Sequence, residues 1–206
     1  MKEYEHKIEV STNPTPWLLT SVLELLHESF KERIEAGLNF GCATFTLEEL
    51  QSCCQDAILF IAYDESEEVI GVIILRIKNK AGFYYAYQEY VAVSSTCKGY
   101  GLATHLFEEA LKYCINSGVE FILSTTAVEA ESSVRYHLKN GFKIYRLVSF
   151  RNRNYYSYCF IRPIKRLRFL NCACLRKPLY IVSYILCKSF KRKDGSYRMK
   201  LSERRT

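Results

Sequence analysis

Three small residues, Gly99, Gly101 and Ala103, stand where a strand-like run, Tyr90–Val91–Ala92–Val93, gives way to a helix-like pattern. A helix N-terminus carries unpaired N–H groups and the positive end of the helix dipole. Glycines in the lead-in remove the Cβ atoms that would block an approaching anion, and a small Ala103 keeps the first turn open. The chemistry this spacing supports is a main-chain cradle for phosphate or diphosphate. No Gly-Lys-Ser/Thr follows, which excludes a Walker loop. The third glycine of a dinucleotide fingerprint is replaced by Thr104, and several strands precede the motif, which argues against an opening dinucleotide-binding unit. The same glycines would also serve a tight turn with no ligand.

The elements that must position this turn read as follows. Residues 6–11 form a first strand. Thr15–Pro16 caps and opens a helix to about Arg33, with Leu18, Val22, Leu25 and Leu26 on one face. Thr46 to Glu49 is a capping box for a second helix. Strands are expected at 57–62, 69–76 and 83–93, then a helix at 99–116, a strand at 120–125, a helix at 129–140 and strands at 142–150 and 155–162. The result is an α/β (α+β) arrangement: a mixed, largely antiparallel central sheet flanked by helices. The strand after the crossover helix is expected as a parallel neighbour.

Composition sets outer bounds. The 206 residues suit one domain with a full core and an appendage. Residues 1–164 hold 16 Lys and Arg against 20 Asp and Glu, net −4, whereas residues 165–206 hold 13 against 2, net +11. The expected division is therefore a domain at 1–164 and a basic, partly apolar C-terminal extension at 165–206. The first residues lack the apolar stretch of a secretory signal, and the longest apolar run, Pro178 to Cys187, is half of what a spanning helix needs. The nine cysteines are odd in number and scattered, with no pair of CxxC knuckles. A cytoplasmic setting, thiols packed as small apolar groups, and no metal are expected.

Val93-x4-Lys98-Gly99-Tyr100-Gly101-Leu102-Ala103 resembles the acyl-CoA signature of the GNAT superfamily of N-acetyltransferases. Ser133-x-x-Tyr136-His137-x-Lys139-Asn140-Gly141-Phe142 is similar to that family's late helix, and the element order matches over residues 6–163. The resemblance implies a GNAT-like fold and direct transfer of acetyl from acetyl-CoA, the co-substrate, to an amine. It implies that the backbone from Gly99 through Tyr100, Gly101, Leu102 and Ala103 to Thr104 holds the diphosphate of CoA. Val91 and Val93 would pair with the pantetheine arm. Lys98 stands where the family has Arg or Gln, keeping a cation without the planar fork. Ala130 stands where many members have Asn.

An alkylammonium acceptor, with a pKa of about 10.4, must lose a proton before it attacks. Strand alternation puts Glu89, Val91 and Val93 on one face, shared by Tyr87, so Glu89 is the candidate general base; its alternative is a solvated strand carboxylate. The family's late-helix acid slot falls on His137, with Tyr136 just before it, and only one of the two can face the cofactor. Glu28, Glu32 and Glu35 would form an acidic mouth for a cationic amine or a solvated helix face. The acceptor is a small amine, an amino sugar, a polyamine or a protein amine. Two alternatives stand beside the enzyme: a degenerate acyl-CoA-binding module, and an adaptor acting through residues 165–206. The apolar run with its basic flanks suits packing on the domain or across a homodimer, a peripheral membrane contact, or an RNA contact.

Overall fold

Local sequence signals set the element ends. The Thr15 hydroxyl accepts the Leu18 N–H (3.3 Å) at the start of α1 (Pro16–Glu35), and Thr46 and Glu49 close a reciprocal capping box on α2 (Leu47–Cys54). The computed structural model describes residues 6–80, 82–150, 153–165, 177–178 and 180–182. The strands are β1 (Lys7–Ser11), β2 (Ile58–Tyr63), β3 (Val69–Lys80), β4 (Phe83–Val93), β5 (Phe121–Ala127), β6 (Lys143–Ser149) and β7 (Tyr156–Pro163). Two further helices are α3 (Leu102–Asn116) and α4 (Glu131–Lys139), and 3-10 turns lie at Gly41–Thr44 and Ser95–Cys97. The strands are hydrogen-bonded in the order β1-β2-β3-β4-β5-β7-β6 in a seven-stranded, largely antiparallel sheet flanked by helices. Most of the C-terminal extension lies outside the described residues, and so do the roles expected for it. No helix among the described residues is long and apolar enough to cross a membrane.

The chain divides into two compact units, Met1–Ile122 and Leu123–Thr206. In the first, α1 and α2 bury Leu18, Val22, Leu25, Leu26 and Leu50 with Leu59, Ile61, Val72, Ile74 and Ala92 of one sheet face. The other face meets α3. A Cβ at Gly71 would lie 2.9 Å from Leu106 Cδ1 and 3.2 Å from Leu102 Cδ2, so the bare glycine lets α3 seat directly on β3. Glu120 N–H donates to Tyr84 O (2.8 Å), and the Phe121 ring stacks on Tyr85 at 5.3 Å. The first residues of β5 therefore lie beside the first residues of β4, as a parallel crossover requires.

Two features next to the turn differ from expectation. The helix starts at Leu102 rather than at residue 99, because Gly99 (φ 90°) and Gly101 (φ 87°) are left-handed and Gly101 is the N-cap. Strand β4 is also bulged. Ile74 pairs with Tyr90 while Leu75 pairs with Gln88, so Glu89 is the extra residue. A bulge re-phases alternation on its far side. Val91 and Val93 pair with Ile73 and Gly71, whereas Tyr87 pairs with Arg76 on the opposite face. Glu89 bonds that same Arg76 and so sides with Tyr87, not with Val91 and Val93.

In the second unit, α4 lays His137 on the ring of Phe160 (centroids 4.4 Å, 19°) and edge-on to Phe142. Val128 N–H donates to Tyr156 O (3.0 Å).

Candidate active site

The turn between β4 and α3 is open on its outer side. An ideal Cβ at Gly99 or Gly101 would meet nothing within 4 Å. Among the described residues, the main-chain N–H groups of Gly99, Gly101, Leu102 and Ala103 have no hydrogen-bond partner. Thr104 N–H instead closes the first turn on Gly101 O (2.8 Å), so the donors available to a ligand end at Ala103. Uncovered amides, open space and the positive end of a fifteen-residue helix together fit a diphosphate. Lys98 adds a cation beside the turn, its Nζ 3.5 Å from Glu32 Oε1. Of the residues expected along the pantetheine arm, Val91 and Val93 are half-buried, and Val93 O already accepts from Ser29 Oγ (3.1 Å).

Glu89 is neither solvated nor alone. Its Oε2 lies 3.3 Å from Arg76 Nη2 and accepts from the Cys53 thiol (3.4 Å). Arg76 also donates to Cys53 O, which ties β3, β4 and the end of α2 together. Burial first, then the charge of Glu89, pushes the Cys53 thiol up to about 11. The thiol is thus a neutral donor near pH 7, not a thiolate nucleophile. Among the described residues, the contacts of Glu89 all fall on Oε2 and none on Oε1. The hairpin of β3 and β4 was the one sequence signal able to suggest Arg76; nothing local pointed to Cys53.

Glu28 and Glu32 are exposed, as a solvated helix face would have them, but both are tied to the turn between β4 and α3. Glu28 Oε1 accepts from the Ser95 hydroxyl (2.6 Å) and the Ser95 N–H (3.1 Å). These bonds, hydroxyl first, hold its carboxyl below the usual range, against partial burial and helped by the charge of Lys98. Glu35 ends α1 and is exposed.

His137 does not suit the acid role expected of it. The ring is 2 % exposed. Nδ1 lies 2.7 Å from Ser133 O and Nε2 lies 2.9 Å from Ser124 Oγ, so both nitrogens are engaged inside the unit. Nδ1 donates to the carbonyl, and Nε2 accepts from the hydroxyl. Burial lowers its pKa to about 4, and the bond to Ser133 only partly opposes that. At neutral pH this is an uncharged structural histidine. Its neighbour Tyr136 is half-buried, edge-on to the His137 ring at 5.1 Å, and is the remaining late-helix acid candidate. Ser124, absent from the sequence expectations, is what locks His137; a lone serine on a strand carries no signal of this.

A family model, the acetyltransferase (GNAT) family, matches residues 20–142, more than half of the chain. The chain belongs to the GNAT acetyltransferase family. The match includes the β4–α3 turn and ends at the Phe142 that closes the second motif. Solved structures of GNAT proteins share the fold. A chain of the NatC complex bound to Gag peptide and CoA is 19% identical with a TM-score of 0.63, over 78% of this chain and 99% of that one. The PaiA N-acetyltransferase from Thermoplasma acidophilum, in complex with coenzyme A, is 17% identical with a TM-score of 0.59, over 76% and 99%. The ribosomal-protein-S18-alanine N-acetyltransferase from Escherichia coli is 12% identical with a TM-score of 0.60, over 77% and 95%. No curated protein matches the sequence. Family membership and CoA-bound neighbours together support acyl transfer from acetyl-CoA.

Proposed function

We propose that this chain is an N-acetyltransferase that moves acetyl from acetyl-CoA directly to a primary amine. The observation that carries the reading is the row of uncovered amides at Gly99, Gly101, Leu102 and Ala103, held open by two left-handed glycines. Acetyl-CoA, when bound, supplies an activated thioester. The chain's own residues do the rest. The amides hold the diphosphate and fix the donor's position. Glu89 Oε1 receives the ammonium proton, directly or through water, while Arg76 and Cys53 keep the carboxylate from rotating. Tyr136 returns a proton to the departing sulfur, a lesser task because a thiol with a pKa of about 8.5 leaves readily.

Alignment of two bound reactants supplies more of the rate than either proton transfer. Even so, Glu89→Gln is expected to lower kcat/KM by about 100-fold, within the ~10²–10⁴ range of a general base. Tyr136→Phe is expected to cost less, about tenfold, because the thiolate leaves readily without a proton donor. Steady-state rates with saturating acetyl-CoA check both.

One feature favours a second reading, an acyl-CoA-binding module without turnover: the base candidate already holds a guanidinium. Thiol release from acetyl-CoA with a panel of amines separates the two. The panel should span polyamines, amino sugars and peptides with free N-termini, the last because two of the structural neighbours are described with a peptide or a protein alanine. Amine-dependent thiol release supports the enzyme. Binding of acetyl-CoA with no release from any amine supports the module.

A further inference from the structure

The cradle is anchored at Cys97 and Leu102, which are 1% and 3% exposed, and is otherwise thinly packed. Gly99 and Gly101 bring no side chain to the core, and Ser95, Thr96, Lys98 and Tyr100 are exposed. A loop binds an anion well only when its amides are ordered beforehand, since ordering them during binding consumes affinity. Beyond those two buried anchors and the bond from Ser94 N–H to Ile70 O (2.9 Å), the order here comes from α1. Ser29 Oγ donates to Val93 O at the end of β4. Glu28 Oε1 takes both the hydroxyl and the N–H of Ser95, the first residue of the 3-10 turn. Glu32 reaches Lys98. The three contacts differ in weight. The Glu32–Lys98 pair has side chains 81% and 51% exposed, and such pairs contribute little. The Glu28 contact is at the surface too, and its weight comes from geometry: two charge-assisted hydrogen bonds to one residue, one of them 2.6 Å long.

We infer that Glu28 is a positioning residue for the diphosphate cradle, acting through Ser95. The inference rests on the acyl-CoA reading above. It carries a sign that simple charge does not. Removing a carboxylate near an anion site strengthens anion binding on Coulomb grounds alone. Removing a brace weakens it. Glu28→Ala therefore separates the two.

The test is calorimetric titration of the full chain with CoA, alongside KM for acetyl-CoA and kcat. Glu28→Ala is expected to weaken CoA binding by about tenfold, with KM rising in step and kcat at saturation nearly unchanged. Glu28→Gln should recover most of the loss, because an amide oxygen accepts the same two bonds. Glu32→Ala frees Lys98 and should leave binding equal or tighter. Glu24→Ala removes an exposed α1 carboxylate elsewhere on the helix and should change little. If Glu28→Ala fails to fold, Ser95→Ala removes the shorter bond alone and should weaken binding by about threefold. Equal or tighter binding by Glu28→Ala, or by Ser95→Ala in its place, overturns the inference. Absence of CoA binding by the unmodified chain instead overturns the acyl-CoA reading.

Discussion

Gly101→Glu is expected to abolish stabilisation of the chain by acetyl-CoA. At a donor concentration of about 100 times Kd, binding adds ~2.7 kcal/mol to the folded state. For a chain of this size that corresponds to a rise in Tm of roughly 5–10 °C. Two effects remove it in the variant. At φ 87° any L side chain is strained by ~1–2 kcal/mol, which shifts the turn. The new carboxylate also brings a negative charge into the open space at the turn, where it repels a diphosphate. No atom lies within 4 Å of the added Cβ, so the variant should still fold. Gly101→Ala carries the strain without the charge and should keep part of the shift. Thermal scans with and without acetyl-CoA read all three proteins side by side.

The second large effect concerns pH and His137. Its folded pKa of about 4 lies below the 6.5 of a free imidazole. Between those values the unfolded chain binds a proton that the folded chain refuses. Stability held above pH 6.5 is therefore lost as pH falls toward 4, and no further below it. A gap of that size corresponds to about 3 kcal/mol. Carboxylates contribute slopes of their own at the acid end, so the comparison must be with a variant. His137→Gln should be less stable at pH 7, because the stack on Phe160 is lost, and its denaturant midpoint should fall less steeply from pH 6.5 to 4. Equal slopes in the two proteins would mean that His137 is not buried as described. The same measurement bears on mechanism, since a histidine that stays neutral to about pH 4 is no acid at neutral pH.

The contrast between these two residues shows where sequence reading succeeds and where it stops. Gly99 and Gly101 act through their own backbone, so their meaning is local and legible. The capping residues Thr15 and Thr46, and the order of strands and helices, are legible for the same reason. Glu89 is not, because a bulge exists only in a pairing: two residues of β4 stand against one of β3. Simple alternation put it with Val91 and Val93, and the bulge put it with Arg76. His137 was misread by matching its position to the family's late-helix acid slot, which says nothing of what surrounds the ring. In α4 the apolar Leu138 is half exposed while His137 is buried, since Phe160 and Ser124 supply an environment that suits an imidazole. Glu28 and Ser95 are 67 positions apart and meet only after α1 is docked.

The claim on which the rest depends is that main-chain amides of the β4–α3 turn grip the diphosphate of the acyl donor. Amide-resolved NMR of the chain titrated with CoA tests it most directly. The account predicts that the N–H resonances of Gly99, Gly101, Leu102 and Ala103 move together and saturably, ahead of the rest of α3. CoA binding that leaves these four amides unmoved would contradict it.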